Sequence, residues 1–566
     1  MASVQQQEEQ YLLWSVEETE RRFHRFDWIV LLLLMLITVG YVVRKAQFSA
    51  PPAEDAAMLM RYATHLANGH GIVWNIGEKP VDGATDFLFM VMVAGLIKLG
   101  LSAEVAARAL ILLAHVVNVL LIYFALRSLW GAPWWFAVVP SFFLAVATGV
   151  IYITTCFGAP VFALFASLSW FFALRAILWN NSFANALGFG FFSLITGLIR
   201  PEGVILTLLI VIALFFLKGW RRALPLAIVW AVFVIGLGGV YFLWRWHYFG
   251  YPLPNPFYKK GGGTLHWDGL RYSYYMLRKF SLPFLLLYIG GLLFKDVRRL
   301  LIGLLIPPFG FATAFILISN EMNIAGRYQY PALPLILMGV YPAACVLWRQ
   351  LQPERTRSRF AFAHLYVLFA TLYLLRVYCG QALSYPIYPD GRAEVAKRLA
   401  QFRSKGYWMA VTEAGLLPFY SGWNAIDTWG LNGQWIAHHG AITEEYLEQF
   451  RPHLIMFHAY FSPIVPANPA RLASRNQFTV QWDQMVNTLK QYAERRGYIL
   501  AAVYGETPYD THYYYVRPDF PDAMAIVELI RQTHYIWYKT GAVSVNYALL
   551  EPKVESVESQ KQLSNR

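Results

Sequence analysis

The chain has 566 residues, of which 57% are hydrophobic and only 14% charged, and its net charge is +13. A globular domain in water carries about 25% charged residues. The composition therefore excludes a wholly soluble protein, and apolar runs of about 16 to 22 residues, near the length that crosses a bilayer, recur along it.

The first 26 residues are polar, and the first apolar run, "WIVLLLLMLITVGYVV", follows them. No small-residue cleavage site comes after it, so the run reads as a retained span rather than a signal peptide. Basic clusters then set the expected orientation, because short loops rich in Lys and Arg face the cytoplasm. These clusters are Arg21, Arg22 and Arg25; Lys218, Arg221 and Arg222; Lys295, Arg298 and Arg299; and Arg349, Arg355, Arg357 and Arg359. With all four inside, the loops 44–85, 200–203, 244–280 and 319–327, and everything after 379, are expected outside. Arg44 and Lys45 run against the rule. The apolar stretches 86–100, 104–126 and 134–150 must then supply an even number of crossings. The expected total is about 11 spans. The positive charge is explained by these inner loops, and nucleic acid is not expected as a partner. Cys156, Cys345 and Cys379 are scattered, with no metal-ligand spacing, and predict no disulfide.

Beyond residue 379 the apolar runs shorten to strand length: "YWMAV", "HLIMF", "YILAAVYG" and "HYYYVRP". Helical patterns at 443–450 and 482–496 lie among them. The expected organisation is a cytoplasmic segment 1–26, a multi-span α-helical membrane domain 27–379, and a soluble extracytoplasmic α/β domain 380–566. No internal repeat is visible.

The expected outer loops hold the unusual chemistry. In "PPAEDAAMLMRYATH", helical spacing sets Glu54, Met58, Arg61 and His65 along one stripe, with Asp55 about 100° around. Acidic residues in a first turn complement the helix dipole, which is an ordinary reason for them. "GLIRPEGV" places Arg200 and Glu202 around a proline. Residues 245–263 are rich in aromatic, Pro and Gly residues and carry Arg245, His247, Lys259 and Lys260. "ISNEMNIAGRYQYPALP" carries Glu321 and Arg327. Each loop has a bland reading, as a turn, a snorkelling cation or an aromatic belt. Four such loops on one face suit an anionic, lipid-linked substrate. Trp74, Tyr251, Tyr258 and Trp423 could stack on sugars, although ordinary packing explains any one of them. In the soluble part, Asp427, His438 and His439 are suggestive, and a turn after a strand explains "IDTWGLNG" equally well.

The stretches "EDAAMLMRYATHLANGHGIVWNIGEKPVDGATDFL", "IRPEGV", "YFGYPLPNPFYKK", "GRYQYPALP" and "VTEAGLLPFYSGWNAIDTWGLN" carry a resemblance. The chain resembles the integral-membrane C-type glycosyltransferases that use polyprenyl-phosphate sugars. Within them it looks most like the mycobacterial terminal arabinofuranosyltransferases and their bacterial relatives. The resemblance implies a membrane protein of the plasma membrane that transfers a sugar, arabinofuranose by family likeness, from a polyprenyl-phosphate donor. The acceptor would be an envelope glycan, lipid or protein on the extracytoplasmic face, and membrane lipids are expected partners. The paired acidic position falls on Glu54 and Asp55, with Asp55 as catalytic base and Glu54 positioning the acceptor or helping to hold a divalent metal, Mg or Mn. Arg61, Arg200, Glu202, Arg245, Tyr258, Lys259 and Arg327 form the expected substrate- and phosphate-binding set, because guanidinium forks match phosphate oxygens. Direct displacement from the lipid phosphate would invert the anomeric centre.

One position departs from the family pattern. Where relatives carry a second acid, "YITTCFGAPVFALF" places Gly158. A non-catalytic relative that binds a glycolipid or glycan is therefore the alternative. A lipid-linked sugar transporter is a weaker one, because few ionisable residues fall in the span centres and no paired repeat halves are seen.

Overall fold

The structure is a computed structural model. It describes residues 23–350 and 388–550, apart from 147–148, 180–181, 261–262 and 474–476, together with positions 366, 369 and 373. The chain divides into two compact units. One comprises Met1–Phe48, Leu66–Asn68 and Ala84–Pro386, and the other Ser49–His65, Gly69–Gly83 and Ile387–Arg566. Most of the stretch 49–83, expected as an outer loop of the membrane domain, thus groups with the C-terminal part of the chain. The span expected at 360–378 and Cys379 lie outside the described residues, apart from positions 366, 369 and 373.

The first unit is helical. Among the described residues, six helices are long and apolar enough to cross a membrane, including Arg25–Lys45, Ala103–Trp130 and Ala159–Leu178. Arg25–Lys45 shows why such a helix suits lipid. Val30, Leu34, Thr38 and Val42 form its buried i, i+4 stripe, while Leu32, Leu33, Leu36 and Ile37 stay exposed on the other side. A helix that is apolar all round needs an apolar surround. At its start, the Asp27 carboxylate binds Arg127 Nε at 2.7 Å and Tyr123 Oη at 2.6 Å, all buried. The basic loop at 218–222 falls within one long apolar stretch, Glu202–Phe249. There Gly219 breaks the helix with φ 73° and ψ 171°, a backbone conformation essentially confined to glycine.

The second unit is an α/β domain around a six-stranded sheet of order β2-β1-β3-β5-β4-β6. The strands are β1 Trp408–Val411, β2 Asn424–Asp427, β3 Leu454–Ala459, β4 Ile499–Thr507, β5 Asp510–Val516 and β6 Val545–Asn546. β1 runs parallel to β2 and β3, and β5 is antiparallel to β3 and β4. Four of these strands fall on the short apolar runs of the sequence. Every residue of β3 is buried, as a central strand covered on both faces requires. On one face Ile455, Phe457, Tyr513 and Tyr515 join Trp482, Met485 and Leu489 of the helix Gln477–Arg495 in a single core. On the other, Leu454, Met456, His458, His512, Tyr514 and Val516 are buried by strand alternation.

Candidate functional site

In the first unit, the helix Phe183–Ile199 ends at Arg200, and Pro201 starts the next helix, Glu202–Ala231. The guanidinium of Arg200 is held from two sides. It binds Asp86 Oδ1 at 2.6 Å through Nη1, and Glu202 Oε1 at 2.7 Å through Nε and 2.6 Å through Nη2. It also lies 5.1 Å from the Tyr328 ring centroid. Asp86 immediately precedes the helix Phe87–Lys98 and is not among the site residues expected from the sequence.

Arg327 joins the same neighbourhood. Its guanidinium sits 3.9 Å from the Phe157 ring centroid and 5.0 Å from that of Tyr328, and Nη2 donates to Tyr328 Oη at 3.1 Å. A left-handed pair, Ala325 (φ 54°) and Gly326 (φ 68°), turns the chain just before it. A Cβ on Gly326 would meet Met276 Cε at 2.2 Å and Phe280 Cζ at 2.9 Å, so a side chain there needs both to shift as well as the left-handed backbone. Two arginines and two carboxylates thus collect around Tyr328, three of them from two of the loops singled out in the sequence and Asp86 from the start of the stretch 86–100.

Beside this cluster lies a cavity of about 150 Å³. Phe87, Leu194, Leu198, Val204, Val234 and Phe242 supply much of its apolar lining, and Arg245 is its charged member. Pro201, next to Arg200, also lines it. Arg245 is itself buried on the helix Gly238–Phe249. Tyr258 and Lys259 sit in the short helix Asn255–Lys259, where Tyr258 packs 6.2 Å from Tyr251 between ring centroids. Gly158 precedes the helix Ala159–Leu178, and a Cβ there would stand 2.7 Å from Phe89 Cδ1. Position 158 therefore has no room for a side chain unless Phe89 moves.

Glu54, Asp55 and Arg61 lie in the second unit, on the helix Glu54–Ala67. Asp55 is half-buried in its first turn. Oε2 of Glu54 accepts the backbone N–H groups of Gly415 and Leu416, and Oε1 lies 3.1 Å from Arg392 Nη1. Arg392 also binds Asp390 and Glu413, so three carboxylates share one guanidinium. Burial pushes Glu54 up to about 8, while Arg392 and then His458 overcome the same burial at Glu413 and hold it well below the usual carboxylate range.

Arg61 has a different place from the one its sequence stripe suggests. It is 4% exposed and donates to Trp74 O (2.8 Å), Pro418 O (2.6 Å), Trp423 O (2.9 Å) and Asn75 Oδ1 (3.0 Å). Its fork holds backbone together rather than facing a ligand. Trp74 and Trp423, considered for sugar stacking, are buried, and their indole N–H groups bind Ala425 O and Leu399 O. Asp427 ties the turn after β2, accepting from the backbone of Trp429, Gly430 and Asn432. His439 stacks on Trp435, 4.3 Å between centroids.

A family model for a domain of unknown function (DUF8728) matches residues 384–516, less than half of the chain. No curated protein matches. Among solved structures, the chain is similar to the crystal structure of ArnT from Cupriavidus metallidurans in the apo state. The TM-score is 0.56 at 14% identity, over 86% of this chain and 97% of that one. ArnT bound to undecaprenyl phosphate gives 0.53 at 14% identity, over 87% and 98%. An Archaeoglobus fulgidus oligosaccharyltransferase, solved in complex with Zn and sulfate, gives 0.49 at 13% identity, over 86% and 73%. The likeness to ArnT is one of fold: mostly helical, with a C-terminal α/β unit. It does not single out the arabinofuranosyl branch.

Proposed function

We propose that the chain is a plasma-membrane glycosyltransferase that takes its sugar from a polyprenyl-phosphate donor. The carrying observation is the apolar cavity with buried Arg245, set beside the Arg200–Asp86–Glu202 and Arg327 cluster. An apolar lining suits a polyprenyl chain, and guanidinium groups suit its phosphate. The likeness to a fold that has been solved with undecaprenyl phosphate supports the same reading.

A polyprenyl phosphate is a stabilised leaving group and needs little protonation. The remaining requirements are a base for the acceptor hydroxyl and cations for the departing phosphate. Asp55 takes the first role. Arg200, Arg245, Lys259 and Arg327 take the second, with Glu202 orienting Arg200 and Tyr258 bordering the donor. Arg61 is left out, because its donors are committed to backbone. Glu54 contributes by fixing the start of the helix that carries Asp55. An extracytoplasmic active face, an inverting course, an envelope glycan acceptor and an arabinofuranosyl donor belong to the same proposal. A divalent metal on the acidic pair does not, because the Glu54 oxygens are held by Gly415, Leu416 and Arg392.

Gly158 supports a second reading, a relative that binds a glycolipid without turning it over, because Phe89 occupies the space an acid would need. One experiment separates the two. Purified protein in lipid is incubated with radiolabelled polyprenyl-phosphate sugars and an envelope glycan, beside Asp55→Ala. Transfer that disappears in a folded Asp55→Ala supports the enzyme. Specific binding of the lipid-sugar with no transfer from any donor supports the second reading.

A further inference from the structure

On the buried sheet face away from the Gln477–Arg495 helix, three side chains that the glycosyl-transfer reading does not use meet at one level. His458 of β3 and His512 of β5 are register partners in the antiparallel ladder. Val411 of β1 is in register with Met456 of β3. Two residues further along each chain, Glu413 therefore falls level with His458. One ligand atom from each of Glu413, His458 and His512 lies within 4.8 Å of the others.

Each imidazole stands from the carboxylate at a separation close to that of two ligands on one metal. His458 Nδ1 lies 3.1 Å from Glu413 Oε1, and His512 Nε2 lies 3.5 Å from Glu413 Oε2. Ligands at the bond lengths of tetrahedral zinc stand about 3.3 Å apart. Both imidazoles are oriented through their other nitrogens. His458 Nε2 meets Asp510 Oδ1 at 2.5 Å, and His512 Nδ1 meets Tyr535 Oη at 2.7 Å. A carboxylate or hydroxyl on the far nitrogen is how proteins orient a metal-binding histidine.

A second observation points to a missing cation. His512 is wholly buried, yet its Nε2 makes no hydrogen bond. Glu413 Oε2 lies 3.5 Å from it, an oxygen that also pairs with Arg392 Nη1. A buried ring nitrogen left without a hydrogen bond is satisfied by coordinating a cation when the proton sits on Nδ1, facing Tyr535 Oη. Trp537, with its ring centroid 4.5 Å from that of His512, and Tyr460, 5.0 Å from His458, wall the site with aromatic rings.

We propose that Glu413, His458 and His512 form a binding site for a divalent, borderline-soft cation, zinc above all, with one coordination position left for water or a ligand. Two imidazoles and one carboxylate suit zinc better than magnesium or calcium, which take oxygen. Metal binding at His458 Nδ1 replaces its hydrogen bond with Glu413 Oε1, any proton held there passing to solvent, and leaves the His458–Asp510 hydrogen bond intact. The site is independent of the donor-binding reading.

The test uses the full chain in detergent with its purification tag removed. The protein is stripped with chelator, dialysed against excess Zn²⁺ and then against metal-free buffer, and the bound metal is counted by mass spectrometry. A ratio near one Zn per chain is expected, with loss in His512→Ala and in His458→Gln. Tyr535→Phe keeps all three ligands and is expected to weaken binding roughly tenfold to a hundredfold. Loading with Co²⁺ should give the visible absorption of a four-coordinate ion in the wild type and not in His512→Ala. If His512→Ala elutes as aggregate, His512→Gln is read in its place. No retained metal in the wild type, or equal retention in the ligand variants, overturns the proposal.

Discussion

Oε2 of Glu54 accepts the backbone N–H of Gly415 at 2.7 Å, and a Cβ on Gly415 would stand 2.2 Å from that same oxygen and from the Glu54 carbonyl oxygen. The two residues explain each other. The carboxylate caps the first turn of the helix Leu416–Ser421, also receiving the N–H of Leu416, and only a residue without a side chain lets it come so close.

Gly415→Ala should therefore destabilise the protein by about 1–3 kcal/mol, the usual range for overpacking a tight contact. Thermal unfolding of the full chain in detergent reads the change. Glu54→Gln keeps the accepting oxygen and should cost less than Glu54→Ala, which leaves two N–H groups without their partner.

Arg61→Ala strands three carbonyls and the Asn75 side chain in the interior of the second unit. A loss of at least about 3 kcal/mol is expected, since each buried group left unpaired costs 1–3 kcal/mol. Arg61→Lys should recover little of it, because one ammonium cannot span four acceptors. If Arg61 instead served the donor phosphate, the alanine variant would keep its melting temperature and lose donor affinity.

Two histidines of the second unit set an acid limit. Burial, and then Arg61, lowers His65 to about 4. Burial, and then Arg517, lowers His453 to about 4. Between that value and 6.5 the unfolded chain holds protons on both that the folded chain does not. The contribution of these two histidines is therefore complete above pH 6.5 and falls as pH drops towards 4, by at most about 1.4 kcal/mol per pH unit per group. His453 shows the cause directly, because its Nδ1 accepts the Trp408 N–H, a bond that protonation destroys. His453→Gln should flatten part of the acid slope in a pH series of melting curves.

Arg245→Ala should raise the donor KM about tenfold to a hundredfold, the effect of losing a charge-assisted hydrogen bond. Asp86→Asn loosens Arg200 rather than removing it, and a smaller change of the same kind is expected. Both are read in the transfer assay. Unchanged donor affinity in Arg245→Ala would remove the cavity from the proposed site.

Asp27→Asn leaves the Arg127 guanidinium buried without its counter-charge. A loss of about 3–5 kcal/mol is expected in detergent stability. The double variant with Arg127→Gln should be more stable than Asp27→Asn alone.

Much of the second unit's sheet was legible because its strands are short apolar runs between turn residues. β2 was not, since "NAID" is too brief to show alternation and sits beside a turn-rich segment. The helix Glu54–Ala67 was legible from its spacing, but its partners were not: Pro418 and Trp423 stand 357 and 362 positions from Arg61. For the same reason the acidic pair and Arg61 looked alike as outer-loop chemistry, whereas Arg61 and Glu54 are held by backbone groups. Asp86 was hidden at the edge of the apolar stretch 86–100. Glu413 follows β1, His458 lies in β3 and His512 in β5, and together they form no local pattern. The signal available was a histidine at a buried register position in both "LIMFHA" and "DTHYYYV", where an apolar residue is the rule.

The long separation between Arg61 and the carbonyls it binds also imposes an order of events in synthesis. At 5–20 residues per second, the 357 positions between Arg61 and Pro418 take about 20–70 s to translate. Through that interval the helix at 54–67, with Arg61 and Trp74, has been made while the surface that buries it has not. The second unit can close only after the intervening helices have been threaded, so a stalled or misinserted span leaves this early segment unpaired and open to proteolysis. Its susceptibility to protease during synthesis would report on how far membrane assembly has advanced.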